Sequence, residues 1–143
     1  METTTARKLH QYFQDWLGTA AATDQESIDL VEAGLSLKIL ERLLQRGLSR
    51  KEISAVIIRP RTLKHRRSRR APVSREESER AIRTGRVLAR AQAVLGSREA
   101  ALQWMRAPKR RFKGKPPLQL IATEPGGRLV EEMLIQIDEG MFA

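Results

Sequence analysis

The spacing of apolar residues between strong helix-stop signals limits what this chain can fold into. Residues 6–17 place Leu9, Phe13, Trp16 and Leu17 at i, i+4, i+7 and i+8, which is one face of a helix. Similar spacing recurs along the chain, and glycines follow several of the periodic segments, as they do at helix C-termini. Aromatic residues make up only 4% of the chain, which disfavours a sheet core rich in β-branched and aromatic residues. The sequence therefore predicts an all-α fold.

Two Ser-x-x-Glu sequences mark helix starts within this pattern. In "SRKE" the hydroxyl of Ser49 can accept from the amide of Glu52, while the Glu52 carboxylate accepts from the amide of Ser49. "SREE" pairs Ser74 with Glu77 in the same way. Each sequence predicts a capping box, in which two backbone N–H groups at a helix N-terminus are satisfied.

The two longest predicted helices lie in the second half of the chain. The first spans roughly residues 75–95 and contains Gly85, although glycine costs about 1 kcal/mol relative to alanine inside a helix. Gly85 indicates either that another backbone approaches closely or that a glycine is merely tolerated. The second helix, over residues 126–139, carries five apolar residues on one face: Leu129, Val130, Met133, Leu134 and Ile137.

The first half of the chain has the pattern of a helix-turn-helix. Predicted helices 37–46 and 49–57 are joined by a tight turn at Gly47. Pro60 then opens a third, short and basic helix, because proline is tolerated at the first helical position. Helices of this length joined by short turns form the scaffold of a helix-turn-helix, and the second and third would be its DNA-recognition unit.

A cationic stretch overlaps this motif. The chain has a net charge of +10, and residues 59–70 contain seven Lys/Arg and no acid. Such a surface favours a polyanion, and its helix-turn-helix setting favours double-stranded DNA. Arg61 could contact guanine bidentately, and Thr62 could contact a thymine methyl group or a phosphate. The predicted DNA-binding residues are Ser49, Arg50, Arg59, Arg61, Thr62, Lys64, His65, Arg66 and Arg67.

Other interpretations of the cationic stretch stay open. A charge run is unspecific by itself, so these arginines could keep a small domain in solution or contact a protein partner. RNA binding is a weaker hypothesis, because no aromatic side chains alternate with the basic residues to stack on unpaired bases.

The sequence contains no recognisable catalytic, metal-binding or cofactor-binding constellation, so an enzyme is not predicted. It has no Cys and only two His, His10 and His65, and "GGR" at 126–128 lacks the Lys-Ser/Thr that a P-loop needs. No apolar run approaches the ~18 residues of a membrane span, and the N-terminus lacks an apolar signal segment. A cytoplasmic protein without a membrane partner is the expectation.

Several motifs in the second half carry a family resemblance. Residues 73–143 contain "EESER", "RVLARA", "ALQWMRAP", "GKPPLQLIATEPG" and "EEMLIQIDEGMF". This combination resembles the toxin-binding domain of the Xre/MbcA/ParS-type antitoxins, and the first half is similar to the Xre-type helix-turn-helix that precedes this domain in the family. The resemblance implies an N-terminal helix-turn-helix lobe over residues 1–70, followed by a C-terminal helical toxin-binding lobe over residues 74–143.

The resemblance also implies a function. Antitoxins of this type neutralise a partner toxin with the C-terminal half and repress their own operon through DNA binding by the N-terminal half. The usual partner is a RES-domain toxin, which degrades NAD⁺. A homodimer and a higher toxin–antitoxin complex are expected as well. The rival hypothesis is a stand-alone helix-turn-helix regulator of transcription without a toxin partner.

The acidic end of the chain suggests how such a toxin could be blocked. From residue 124 to residue 143, five acids stand against Arg128 alone. A pocket that binds the pyrophosphate of NAD⁺ should be lined by cations, so carboxylates and apolar anchors at a helix end could occupy it. The predicted toxin-binding residues are Glu131, Glu132, Asp138, Glu139, Met141 and Phe142. Alternatively, the acids only solvate the last helix and Phe142 folds back on the core.

Overall fold

The computed structural model describes residues 4–19 and 23–140, and within these residues the regular structure is helical, without a strand. The predicted all-α fold, with an N-terminal helix-turn-helix lobe and a C-terminal helical lobe, is confirmed. A 3-10 turn spans Arg110–Phe112. The α-helices are α1 Thr4–Leu17, α2 Asp24–Ala33, α3 Lys38–Gln45, α4 Arg50–Val56, α5 Pro60–Ser68, α6 Arg75–Leu95, α7 Arg98–Arg106, α8 Pro117–Leu120 and α9 Glu124–Asp138.

The core is built around α6, which packs against α1, α2, α7 and α9. Trp16 and Leu17 of α1 and Val87 and Leu88 of α6 are buried together in this core. The indole N–H of Trp16 donates to the side-chain oxygen of Gln92 at 3.0 Å, so the buried ring keeps its hydrogen bond. This contact fastens α1, at the start of the first half, to α6, the long helix of the second half.

Gly85 accommodates a close contact between α6 and α1. A Cβ atom at this position would lie 2.7 Å from both Cγ and Cδ1 of Leu17, which is closer than carbon atoms approach in packed proteins. The prediction of a nearby backbone is therefore wrong in its detail, because the neighbour is a side chain. Glycine here lets α1 pack tightly on α6.

The start of α9 also makes a close approach. A Cβ atom at Gly126 would overlap the last carbonyl of α8, and one at Gly127 would lie 2.8 Å from Cδ of Arg83. Arg83 is only 2% exposed and donates hydrogen bonds of 2.8 and 2.9 Å to the carbonyl oxygens of Ile121 and Ala122. This buried arginine satisfies the backbone carbonyl groups that follow α8 and holds the start of α9 against α6.

The predicted division into residues 1–70 and 74–143 falls in the segment between α5 and α6. Apolar side chains from both sides of it belong to one continuous core. The segment is tied down by backbone hydrogen bonds, since the N–H of Val73 donates to the carbonyl of Leu35 at 3.0 Å and the N–H of Leu35 donates to Oγ of Ser78 at 3.1 Å. The two ranges remain a prediction about function. Among the helices described here, none combines the length and apolarity needed to cross a bilayer.

Candidate functional sites

Helices α4 and α5 form the predicted recognition unit. At the start of α4 the N–H of Ser49 donates to Oε1 of Glu52 at 2.8 Å, and the N–H of Glu52 donates to Oγ of Ser49 at 3.1 Å, so this capping box is confirmed. Ile57 and Ile58 are buried at 2% and 3% exposure and close the turn between the helices. Pro60 is the first residue of α5, as predicted.

The outer face of α5 is cationic and open to solvent. Thr62 is half-buried, and Leu63 packs inward against the core. Among the described residues, none of the cations on this face belongs to an ion pair, so their charge remains available to a polyanion. The predicted DNA-contacting side chains that are exposed are Ser49, Arg50, Arg59, Arg61, Lys64, His65 and Arg67.

Arg66 differs from its neighbours on α5, because its guanidinium faces α6. Its Nε and Nη2 donate to the two carboxylate oxygens of Glu77 at 3.2 and 3.3 Å. Glu77 is 5% exposed and also accepts from the N–H of Ser74 at 2.7 Å in the second capping box, which is confirmed. Burial opposes the ionisation of Glu77, but the hydrogen bonds from Arg66 and Ser74 outweigh it and hold the pKa of Glu77 below its ordinary value. Arg66 therefore holds the recognition helix on the fold.

The N-terminal end of α4 is fixed by the last residue of α7. Arg106 donates to both carboxylate oxygens of Glu52 and, from Nη2, to the carbonyl of Gly47 at 2.7 Å. The hydrogen bond from Arg106 is the main cause of the lowered pKa of Glu52. Burial raises this pKa, but the hydrogen bond from the N–H of Ser49 lowers it further. Gly47 has a φ of +121°, and a Cβ atom there would lie 2.7 Å from Cδ1 of Leu102 in α7. The turn of the helix-turn-helix thus packs directly on the second half.

The acids predicted to bind a toxin fall into two groups. Glu131 is 18% exposed and accepts from Nε of Arg86 at 2.8 Å, with Nε of Arg90 at 3.7 Å from its second oxygen. It therefore joins α9 to α6. Glu132 is exposed within α9, Asp138 is exposed at its last residue, and Glu139 is exposed just beyond it. Met141 and Phe142 lie outside the described residues.

Two apolar side chains on α9 are exposed, against the sequence pattern. The pattern predicts Leu129 on the buried face, but its side chain is 50% exposed, and Ile135 is 36% exposed. The reason is the close packing at the start of α9, since Gly126 and Gly127 are buried and turn the helix so that Val130 and Leu134 face the core. The two exposed side chains flank Glu132 by one helical turn on either side.

The fold and the cationic α4–α5 surface define a helix-turn-helix protein that carries a second helical half. In the described part of the chain, no cluster of three or more His, Cys, Asp or Glu is placed to hold a metal ion. Residues 26–84 match the antitoxin Xre-like helix-turn-helix domain, and residues 90–140 match the antitoxin Xre/MbcA/ParS C-terminal toxin-binding domain. The two matches cover the cationic helices and the acidic helix respectively.

Whole-chain relatives agree with these matches. Antitoxin Xre of Pseudomonas putida is 39% identical over 119 residues, which are 83% of this chain and 75% of the relative. Antitoxin Xre of Yersinia enterocolitica serotype O:8 is 28% identical over 130 residues, covering 89% of this chain and 88% of the relative. The chain belongs to the Xre/MbcA/ParS family of antitoxins, and this membership supports an antitoxin function.

Proposed function

We propose that this antitoxin neutralises a RES-type, NAD⁺-degrading toxin through its C-terminal half and represses its own operon through α4 and α5. The observation that carries the proposal is that exposed cations and exposed acids lie on different helices of the same fold. The exposed cations of α5 lie on a helix-turn-helix, whereas the exposed acids Glu132, Asp138 and Glu139 lie on or directly after α9, near the C-terminus of the chain. Such surfaces attract partners of opposite charge.

On DNA, α5 would enter the major groove with its N-terminal residues toward the base edges. Arg61 would bind guanine bidentately and Thr62 a thymine methyl group or a phosphate, whereas Lys64, His65, Arg67 and Arg59 would support contacts along the groove. Ser49 and Arg50, at the start of α4, would hold the phosphate backbone. Arg66 acts by orienting α5 through Glu77.

On the toxin, the end of α9 would enter a cationic pocket that binds the pyrophosphate of NAD⁺. Glu132, Asp138 and Glu139 would supply the charge, and Met141 and Phe142 the apolar anchors. Glu131 would hold α9 in place through its contact with Arg86. The exposed side chains of Leu129 and Ile135 join this proposed surface, because apolar groups at the centre of an interface contribute much of its affinity.

The protein would act in the cytoplasm as a homodimer, which would bring two recognition helices to half-sites about one helical turn apart on operator DNA. Toxin and antitoxin would join in a higher complex on this dimer. Co-expression with the product of the neighbouring reading frame, followed by purification through a tag on that product, tests the proposal. A stable complex that preserves cellular NAD⁺ supports it. The absence of any complex would favour the stand-alone regulator.

A further inference from the structure

A second cationic cluster lies outside the proposed recognition helix. Residues 109–115, which we term the cationic turn, contain five Lys/Arg and no acid. The turn falls within the range that matches the toxin-binding domain, 90–140. A cationic toxin pocket of the kind proposed above would repel the positive charge of the turn.

The cationic turn is a rigid element. The N–H of Lys109 donates to the carbonyl of Lys115 at 3.2 Å, and the N–H of Gly114 donates to the carbonyl of Lys109 at 2.9 Å. Phe112 is buried at its centre, and Nζ of Lys109 lies 4.7 Å from the ring centroid of Trp104. Because the backbone is already ordered, binding through this turn costs little conformational entropy.

Lys113 occupies a backbone conformation that lysine rarely adopts. Its φ is +56°, in the left-handed region, which costs a residue with a Cβ atom roughly 1–2 kcal/mol relative to glycine. Strain of this kind is concentrated at functional sites. The side chain is exposed, so no packing contact in the core compensates for the strain.

The elements on either side of the cationic turn, α7 and α8, both contact α4. Arg106, which bonds to Glu52 and Gly47, is three residues before Lys109, so the two Cα atoms are within about 11 Å of each other. On the other side, α8 follows the turn and packs against α4. The turn therefore links two elements that contact α4, the helix at whose start Ser49 and Arg50 are proposed to hold the DNA backbone.

We propose that the cationic turn is a second phosphate-binding element of the DNA surface, in which Arg110, Lys113 and Lys115 contact backbone phosphates beyond those reached by α4. The inference rests on the proposed DNA binding by α4 and α5. All three side chains are exposed, and within the described residues none of them is in an ion pair. B-form DNA carries one charge per ~1.7 Å of its axis, so a turn beside a bound helix meets further phosphates. The toxin-binding half would then contribute directly to affinity for DNA.

The test removes the three charges without breaking the turn. The variant is Arg110→Gln, Lys113→Asn and Lys115→Gln, because asparagine tolerates the left-handed region. A matched control, Arg7→Gln, Lys8→Gln and Arg128→Gln, removes three exposed cations from α1 and α9. Binding is measured over a range of salt concentrations with two probes, the DNA upstream of the protein's own reading frame and a synthetic duplex of mixed sequence.

The turn variant should weaken binding to both duplexes by the same factor, because phosphates carry no sequence information. The slope of log K against log salt should fall in magnitude by about 2 to 3 relative to wild type, since each phosphate that is no longer neutralised lowers it by about 0.9. The single variant Arg110→Gln should lower it by about 0.9. If the triple variant does not fold, this single variant decides.

The outcomes separate the inference from the proposal on which it rests. If Arg61→Ala with Lys64→Ala loses DNA binding while the turn variants match the control in affinity and slope, only the inference is overturned. If the turn variant binds DNA normally but no longer co-purifies with the toxin, the turn is a protein-docking element and the inference is wrong. A wild-type protein that binds neither duplex would overturn both.

Discussion

Arg106 and Glu52 join the two halves of the molecule through a bidentate contact, in which Nε and Nη2 each donate to one carboxylate oxygen at 2.8 Å. Glu52 also belongs to the capping box that starts α4. One carboxylate therefore stabilises the N-terminus of a DNA-binding helix and fastens it to α7. A change in the second half that moves Arg106 would be felt at the start of α4.

Replacing Glu52 by Gln tests this contact, because glutamine can keep the capping box but not the ion pair. We expect Glu52→Gln to lower the free energy of unfolding by about 1 kcal/mol at neutral pH, a value reduced by partial exposure. The pKa of Glu52 is lowered from its ordinary 4.5, so the stabilisation is fully present above pH 4.5 and disappears as the pH falls through the folded-state pKa. Urea unfolding of both proteins across this range measures the effect. A difference that stays constant down to low pH would contradict it.

Arg61 and Lys64 are exposed on the recognition helix, so their removal should affect DNA and not folding. Arg61→Ala with Lys64→Ala is expected to weaken binding to the upstream DNA by about 5- to 150-fold, since one bidentate base contact is worth about 1–3 kcal/mol. The melting temperature and the neutralisation of the toxin should stay at wild-type values. Equal loss of both activities would mean that the two surfaces overlap.

Arg66 and Arg67 are adjacent on α5 and provide a matched pair. Arg66→Gln leaves the buried carboxylate of Glu77 without its cation and should lower the free energy of unfolding by about 1–3 kcal/mol. Arg67→Gln should leave stability within about 0.5 kcal/mol of wild type and weaken DNA binding. Thermal unfolding and a DNA titration distinguish them. If Arg66→Gln is as stable as Arg67→Gln, the contact with Glu77 does not orient α5.

The substitution Gly85→Ala should change stability in opposite directions, depending on the residue at position 17. In the wild-type background Gly85→Ala forces a Cβ atom to within 2.7 Å of Leu17, and we expect a net loss of stability, because overpacking costs about 1–3 kcal/mol. In a Leu17→Ala background the clash is gone, and the same substitution should stabilise by up to about 1 kcal/mol through helix propensity. A double-mutant cycle by urea unfolding tests the sign. The same sign in both backgrounds would contradict the close packing of the two helices.

The sequence was sufficient for features that depend on residues close together in the chain. Both capping boxes join residues three apart, and the helix-turn-helix follows from apolar spacing, Gly47 and Pro60. These are local patterns with a direct physical cause, so they could be predicted without knowing the fold.

What could not be predicted depends on contacts between distant segments. In the sequence, Arg66 and Glu131 look like surface charges. Arg66 forms a hydrogen bond with Glu77, 11 residues away, and Glu131 pairs with Arg86, 45 residues away. No local pattern indicates either contact. The apolar stripe predicts Leu129 on the inner face, because an ideal stripe ignores the two glycines that set the angle of α9. Tertiary packing decided these positions.

The central claim is that the end of α9 neutralises a toxin independently of the DNA surface. Cellular NAD⁺, measured after induction of the co-purifying toxin, tests it most directly. A chain lacking residues 138–143 has no Asp138, Glu139, Met141 or Phe142, whereas most of α9 and the core remain. With this truncated chain NAD⁺ should fall as it does without antitoxin, and with Arg61→Ala and Lys64→Ala it should stay at the wild-type level. Full preservation of NAD⁺ by the truncated chain would contradict the claim.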